Sequence, residues 1–356
     1  MGEGVLTNDH PALTARWHAI ARLGADGSVV AAELFGRRYV VAVIGDDVLV
    51  APDACPHRGA RLSDGELVDG CLRCPYHGWR FGPDGTCVAI PAIGDSPIPS
   101  RADVVAVPAR AALGLVWIRP DHGDAGFDPL DVPEWDEALD AASDIDAAWL
   151  PDVVIACSAG QFVDNFLDIA HFPVVHAGTF GADEATEVGD LAVETNPPDV
   201  GPGRLRLRHA HEIANREDPL VATGEHPLVQ PRIMEYTVGV PFTARLRIEL
   251  PTTGVDNTIV VVASPTSRDR TTLFTVLLRN DLHGDPDAAR HAVDYEMSVL
   301  AEDLAVLDHL PDDGLPLDLP AQVHTRADAF TVAYRRALAT ELSWPPAPPS
   351  SGATPR

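Results

Sequence analysis

The sequence predicts an α+β protein in which a small all-β domain is followed by a larger domain that combines several strands with a long helix. Residues 1–119 contain short β-like runs that are separated by Gly, Asp and Pro turns. Residues 149–343 contain longer strand-like runs and one long helical pattern. The intervening residues 120–148 are rich in Asp, Ala, Gly and Pro, and we expect them to form an acidic connecting segment.

The strands follow from the spacing of apolar residues. In the first domain, residues 39–44 and 114–118 are the clearest apolar runs. In the second domain, the strand-like runs are residues 153–157, 244–249, 257–262 and 273–278. The run 244–249 alternates apolar with charged residues, which is typical of a strand with one buried face.

One long helix is predicted over residues 286–309. Its apolar face carries Val293, Met297, Leu300, Leu304 and Leu307. Beyond it, the tail of residues 344–356 is rich in Pro and Ser, and we expect it to be disordered.

Composition excludes several classes of function. A net charge of −27 argues against nucleic-acid binding, which favours a basic face. All 26 basic residues are arginine, so Schiff-base chemistry on a lysine is excluded. The longest apolar runs fall short of the roughly 20 residues of a membrane helix. No basic-then-apolar signal opens the chain, and we expect a cytoplasmic protein without membrane contact.

Two loops each contain one cysteine and one histidine. The first reads Cys55-Pro56-His57-Arg58-Gly59-Ala60, and the second reads Cys74-Pro75-Tyr76-His77-Gly78-Trp79. Two thiolates on one iron and two imidazoles on the other form a Rieske [2Fe-2S] cluster. The alternative is a Cys2His2 zinc site, but zinc fingers usually place both cysteines before both histidines. The order found here favours the cluster, with Cys55, His57, Cys74 and His77 as ligands.

A second metal site is predicted around His171 and His176. On an unbroken helix, five positions are about 140° apart, which is too divergent for one small ion. Pro173 resolves this, because its missing N–H must bend or end the helix and let His176 turn back toward His171. Two imidazoles and one carboxylate form the facial triad of non-haem iron oxygenases.

The third ligand is expected on the helix predicted at 286–309. There Glu302 points away from the apolar face, whereas Asp303 lies about 60° from Leu300 on the inner border. Glu296 is the competing inward acid, and the spacing prefers Asp303 only modestly. A one-electron carrier in the same chain is what an oxygen-activating iron needs, so the two motifs support each other.

The chain resembles the oxygenase (alpha) component of Rieske non-haem iron oxygenases, and within them the vanillate O-demethylase and dicamba monooxygenase group. The resemblance rests on the two cluster loops, on residues 164–176 (DNFLDIAHFPVVH) and on residues 301–307 (AEDLAVL). It covers nearly the whole chain. It implies a helix-grip catalytic domain, which consists of an antiparallel sheet and long helices. It also makes Asp303 rather than Glu296 the third ligand of a mononuclear Fe(II).

The resemblance also implies further roles and partners. Asp168 would hydrogen-bond a cluster ligand of the neighbouring subunit and so connect the cluster with His171, and Asn165 would lie near the iron. It implies a homotrimer. Electrons would come from NAD(P)H through a separate reductase, with or without a ferredoxin, since no nucleotide-binding motif is present.

The resulting prediction is a terminal oxygenase that uses O2 to hydroxylate or oxidatively demethylate an aromatic or polycyclic small molecule. The alternative is a Rieske electron-transfer or redox-sensing protein whose second domain binds a ligand. His171, His176 and Asp303 discriminate the two, because an electron carrier has no need of a second iron. Candidate pocket residues are Phe162, Phe166, Phe172, Val175, His209 and His211, of which the two histidines are more readily explained as structural.

Overall fold

The computed structural model describes residues 4–121, 123, 126–140, 142–181, 187–216, 218–311 and 314–343. The chain divides into two compact units. The N-terminal unit consists of residues 8–129 together with 264–270, and the C-terminal unit consists of residues 4–7, 130–263 and 271–343. The tail 344–356, predicted to be disordered, lies outside the described residues.

Short strands dominate the first third of the chain. They are β1 (Val5–Leu6), β2 (His18–Arg22), β3 (Val29–Leu34), β4 (Arg37–Ile44), β5 (Asp47–Pro52), β6 (Glu66–Val68), β7 (Cys71–Arg73), β8 (Arg80–Phe81), β9 (Cys87–Ala89), β10 (Ala109–Ala112) and β11 (Leu115–Ile118). Three short 3-10 helices accompany them at Pro11–Ala15, Pro91–Ile93 and Ser100–Ala102.

The N-terminal unit is built from three small antiparallel sheets. Their strand orders are β10-β11-β2, β3-β4-β5 and β6-β7-β8-β9. Leu62, Leu72 and Phe81 are fully buried in the core that carries the loops after β5 and β7. These two loops contain the four predicted cluster ligands, so a packed apolar base supports both of them.

The C-terminal unit contains the helices and the longer strands. Its elements are α1 (Pro133–Ala138), β12 (Asp146–Trp149), β13 (Val153–Ile155), α2 (Ala159–Leu167), α3 (Phe172–Val175), β14 (Val193–Thr195), β15 (Arg204–Ala214), α4 (Pro219–Thr223), β16 (Val229–Gly239), β17 (Thr243–Leu250), β18 (Val255–Ser267), β19 (Arg270–Arg279), α5 (Pro286–Leu307), β20 (Leu315–Pro316) and α6 (Ala329–Glu341). Two 3-10 helices, Leu319–Ala321 and Arg326–Asp328, precede α6.

One antiparallel sheet of eight strands forms the frame of this unit. Seven strands follow the order β12-β19-β18-β17-β16-β15-β14, and β13 also pairs with β19. The register places Met234 opposite Ile248, and Ile248 opposite Asn257. Because side chains alternate between the faces of a strand, these three point to one face, which also carries Tyr236 and Leu246. The predicted all-β domain followed by a mixed domain with a large sheet is confirmed.

Two elements differ from expectation for identifiable reasons. The predicted connecting segment 120–148 contains α1 and the first residues of β12, because Glu134 of α1 forms hydrogen bonds with Arg245. Arg245, which forms this ion pair, is only 7% exposed. The alternating pattern of β17 predicts that its charged face is exposed to solvent, but at Arg245 that face is covered. The domain limits set from the sequence stay a prediction.

Helix α5 closely matches the predicted helix. It begins after Asp285, whose side chain accepts a hydrogen bond from Asp287 N, and it has Pro286 in its first turn. It ends at Leu307, two residues before the predicted end. No helix in the described part of the chain is both long and apolar enough to cross a membrane.

Candidate functional site

The two cluster loops have the same backbone hydrogen bonds. In the first, Cys55 N donates to Ala60 O at 2.8 Å, and Gly59 N donates to Cys55 O at 2.8 Å. In the second, Cys74 N donates to Trp79 O at 2.8 Å, and Gly78 N donates to Cys74 O at 3.1 Å. Gly59 and Gly78 have φ values of 70° and 71°, a conformation that other residues adopt only at a cost. The glycine four residues after each cysteine is therefore required by the turn.

The loops bring the four predicted ligands together. Cys55 and Cys74 are 3% and 2% exposed, whereas His57 and His77 are exposed, with ring centroids 4.4 Å apart. Burial, with a contribution from Cys74, raises the pKa of the Cys55 thiol to about 11. Buried thiols become thiolates when a metal ion compensates their charge. Two buried sulfurs beneath two exposed imidazoles thus fit a [2Fe-2S] cluster with asymmetric ligands.

The second predicted metal site lies where α2 ends. Ser158 and Gln161 begin α2 as a capping box, and Asp168 ends it in an extended conformation. A separate helix, α3, then runs from Phe172 to Val175. Pro173 lies in the first turn of α3, where its missing N–H is not needed. Contrary to the prediction, it therefore neither bends nor ends a continuous helix, because α2 already ends at Leu167. His171 and His176 consequently flank α3, one at each end.

The side chains of His171, His176 and Asp303 converge. The distance between His171 Nε2 and His176 Nε2 is 3.2 Å, and Asp303 Oδ1 lies 3.2 Å from the first and 3.4 Å from the second. Adjacent ligand atoms of an octahedral ion with bonds of about 2.1 Å are about 3 Å apart. The triangle thus has the size of one face of an octahedron. The competing acid, Glu296, lines the neighbouring cavity instead.

The electrostatics of this site favour a cation. Although burial alone would lower it, contacts with Asp168 and Asp303 raise the pKa of His171 to about 9. Burial acts to raise the pKa of Asp303, but His171 and His176 hold it well below its ordinary value. Two imidazoles and a carboxylate with open space beside them are a donor set that suits Fe(II). The residues present fit a mononuclear iron.

The two predicted auxiliary residues lie beside the triangle. Asn165 Nδ2 donates to Asp303 Oδ1 at 3.0 Å, which restricts the orientation of this carboxylate. Asp168 Oδ1 accepts from Ala170 N at 2.8 Å, and its Oδ2 lies 3.4 Å from His171 Nδ1. The Asp168 side chain is 33% exposed, so it connects His171 with the surface.

Glu302 is a site residue that the sequence reasoning missed. The helical pattern points it away from the apolar face, yet its Oε2 lies 2.8 Å from His176 Nδ1 and accepts from Thr179 Oγ1 at 2.9 Å. Since a carboxylate can only accept, His176 Nδ1 carries the hydrogen and Nε2 is left with its lone pair toward the triangle. The sequence feature that could have indicated this role is the position of Glu302 directly before the predicted ligand Asp303.

We expect Glu302→Ala to weaken Fe(II) binding at the mononuclear site about 10- to 100-fold, because His176 loses the partner that orients its ring. Equilibrium titration of the iron-depleted site with Fe(II) measures this, with the spectrum of the cluster as an internal control. Glu302→Gln, which keeps an oxygen acceptor, should recover part of the affinity. Affinity within twofold of wild type in Glu302→Ala would rule out the orienting role.

An apolar cavity of about 130 Å³ opens beside the triangle. Its walls include Met234, Tyr236, Leu246 and Ile248 from the large sheet, together with Phe162, Phe166, Phe172 and Phe180. The walls, as far as the chain is described, do not include Val175, His209 or His211. His211 instead contacts Arg232, a lining residue that the sequence reasoning also missed. Aromatic walls beside open metal positions suit a flat, apolar ligand.

Family models match both parts of the chain. Residues 17–107 match the Rieske [2Fe-2S] domain, and residues 155–342, more than half of the chain, match the vanillate O-demethylase oxygenase C-terminal domain. The first match contains the two cluster loops, and the second contains His171, His176 and Asp303.

Individual relatives agree with these matches. The methylxanthine N1-demethylase NdmA of Pseudomonas putida is 26% identical over 349 residues, which are 95% of this chain and 92% of that protein. The structure of NdmA with caffeine superposes with a TM-score of 0.75 at 24% identity and covers 94% of this chain and 96% of the other. Dicamba monooxygenase bound to dicamba gives a TM-score of 0.74 at 20% identity, over 93% of this chain and 98% of the other.

The matched families define the cofactors and the class of enzyme. The protein is an oxidoreductase with a Rieske [2Fe-2S] cluster and a mononuclear non-haem iron, and as one component of a multicomponent system it receives electrons from a separate reductase and acts on a small molecule. The chain therefore belongs to the Rieske non-haem iron oxygenases, as an oxygenase component of the vanillate O-demethylase type.

Proposed function

We propose that this oxygenase component oxidises a substrate with a single aromatic ring, by oxidative demethylation or by hydroxylation. The observation that carries the proposal is the triangle of His171, His176 and Asp303 at the wall of an aromatic-lined cavity. The cavity of about 130 Å³ is close in size to one of about 150 Å³ that takes up benzene in another protein. A single substituted ring is favoured over a polycyclic compound.

We assign the ligands as the sequence predicts them. Cys55, His57, Cys74 and His77 would hold the cluster, and His171, His176 and Asp303 would hold Fe(II). When bound, the cluster supplies electrons and Fe(II) with open positions supplies the chemistry of oxygen activation. For a methoxy substrate, one O2, two electrons and two protons yield the phenol, formaldehyde and water.

The protein side chains would position the substrate and exclude water. Phe166 and Tyr236 meet edge to face at 5.9 Å, and Phe172 and Phe180 do so at 5.2 Å, which gives the cavity rigid aromatic walls. Such walls orient a flat ring and keep bulk water away from the reacting carbon. Asn165, by its hydrogen bond to Asp303 Oδ1, would hold the ligand carboxylate in one orientation.

We further propose a head-to-tail homotrimer in the cytoplasm, in which Asp168 meets a cluster ligand of the neighbouring chain. The exposure of Asp168, His57 and His77 is compatible with this arrangement.

For the electron donor, we propose an acidic reductase or ferredoxin. Of four arginines near the cluster loops, Arg73 and Arg80 pair with Glu66 and Asp69, whereas Arg58 and Arg61 are exposed and form no ion pair within the described residues. Unpaired surface cations can steer an acidic partner.

The test is to measure iron, acid-labile sulfide and turnover on protein purified without oxygen. We expect about three irons and two sulfides per chain, with a Rieske-type electron paramagnetic resonance signal after dithionite reduction. With a reductase and NADH, methoxybenzoates and N-methylated heterocycles should yield formaldehyde. About two irons per chain that persist after Fe(II) addition would contradict the proposal and favour an electron-transfer protein.

A further inference from the structure

A buried arginine that has no carboxylate partner among the described residues lies in the wall of the substrate cavity. Arg232 of β16 is 5% exposed and lines the cavity on the same sheet face as Met234 and Tyr236. Its guanidinium lies 4.5 Å from the ring centroid of Phe180 and 5.6 Å from that of Phe172, the residue after His171. This places a positive charge close to the mononuclear iron site.

The hydrogen bonding of Arg232 is incomplete. NH2 donates to His211 Nε2 at 2.9 Å, whereas the buried Nε has no partner among the described residues. His211 is a neutral partner, because burial and the nearby Arg232 lower its pKa to about 3. Arg232 itself forms no ion pair with any residue that the structure describes. Burial lowers the pKa of Arg232 to about 10, although Glu296 acts to raise it. A buried charge without an ion pair is costly, so such a group favours an anion from outside the chain.

The other charged residues of the cavity support the same conclusion. Arg279 also lines the cavity, but it donates two hydrogen bonds to Asp281, each at 2.8 Å. Arg216 donates to a backbone oxygen, Thr179 O, and like Arg232 it has no carboxylate partner in the described part of the chain. Apart from Asp303, Glu296 is the acid on the described walls. Two arginines that form no ion pair with the described residues, against one further acid on these walls, favour an anionic ligand.

We propose that Arg232 binds a carboxylate of the substrate and thereby selects aromatic acids over neutral aromatic compounds. This inference rests on the proposed function, since it names the substrate class of the same cavity. The competing explanation is structural, in which the Phe172 and Phe180 rings and His211 satisfy Arg232. Cation–π contacts compensate only part of the charge, however, and they leave the Nε hydrogen without an acceptor.

The experiment compares a carboxylate with its neutral analogue. Binding of 3-methoxybenzoate and of 3-methoxybenzamide to the anaerobic, iron-loaded enzyme is measured by isothermal titration calorimetry, without reductase. We expect wild type to bind the acid at least about tenfold more tightly than the amide, because a buried arginine–carboxylate pair forms only with the acid. Arg232→Met should abolish this preference while the iron content stays unchanged.

A matched control uses an arginine of the neighbouring strand. Arg247 of β17 hydrogen-bonds Asp256 and does not lie among the described residues of the cavity wall. Arg247→Gln should therefore retain the preference for the acid. If Arg232→Met does not fold, Arg232→Lys decides the question. It keeps the charge but loses the planar geometry, so we expect the ratio of acid to amide affinity to fall at least about threefold.

Three results would overturn the inference: equal affinity of wild type for acid and amide, no binding of the acid by wild type, or an unchanged preference in the Arg232 variants. Because binding is measured without turnover, this experiment tests the role of Arg232 independently of the proposed oxygenase reaction. Acid binding through Arg232 without product after the addition of electrons would leave the inference intact and reject the oxygenase reaction.

Discussion

Asp303→Ala is expected to lower the iron content from about three atoms to about two per chain, while acid-labile sulfide stays at about two and product formation falls to background. Among the described residues, only Asp303 places a carboxylate oxygen within 3.4 Å of both His171 Nε2 and His176 Nε2. Its removal leaves two neutral imidazoles, which bind Fe(II) far more weakly than a charged triad. The expected loss is thus one of metal and not of fold.

Two acids of the same helix serve as comparisons. Glu296, the competing ligand from the sequence pattern, lines the cavity, and Asp294 is exposed. Glu296→Ala and Asp294→Ala should both keep about three irons per chain. Three irons in Asp303→Ala together with two in Glu296→Ala would reverse the assignment of the ligand. The cluster signal shows in each variant that the N-terminal unit is intact.

The cluster loops were predictable because their chemistry is local. Each loop places its cysteine, histidine and glycine within five residues, and the turn that needs Gly59 or Gly78 is closed by hydrogen bonds inside the loop. The spacing alone was therefore enough to predict the ligand types, and that assignment stays a prediction. The Rieske family and the overall fold class that followed from it are confirmed by the family matches.

Residues that depend on contacts between distant elements were not predictable in this way. A helical pattern gives the direction of Glu302 relative to the apolar face of its own helix, but not the position of His176, which directly follows α3. β16 was not among the predicted strands, and only the fold shows that Arg232, Met234 and Tyr236 of this strand line the cavity. Such assignments require the packing of whole elements.

The pairing of strands also could not be predicted from local sequence patterns. β12 pairs with β19, more than a hundred residues later in the chain, and no local pattern indicates that partner. Residues 264–270, at the turn between β18 and β19, belong to the N-terminal unit, where Phe35 N donates to Pro265 O at 2.9 Å. From the sequence, these residues are an ordinary continuation of the second domain. The positions of four strands of the second domain could thus be predicted, whereas β14, β16 and the strand order could not.

Asp168→Asn is the second change with a large expected effect. We expect the cluster to be reduced as in wild type and the iron content to remain about three, while turnover falls at least about 100-fold. The substitution keeps the size of the side chain, and its remaining oxygen can still accept from Ala170 N. The carboxylate oxygen that lies 3.4 Å from His171 Nδ1 becomes an amide NH2 group, and the negative charge of the side chain is lost.

The measurements on Asp168→Asn separate two roles of this carboxylate. In a single-turnover experiment, the pre-reduced enzyme is mixed with O2 and substrate, and cluster oxidation and product are followed together. If Asp168 connects His171 with a cluster ligand of the neighbouring chain, both should slow in parallel while the iron content is unchanged. Loss of the mononuclear iron would instead mean that Asp168 only orients His171. If the Asp168→Asn variant turned over at the wild-type rate, both roles would be excluded. Asp168, which is 33% exposed and accepts a hydrogen bond from Ala170 N, would then be an ordinary surface carboxylate.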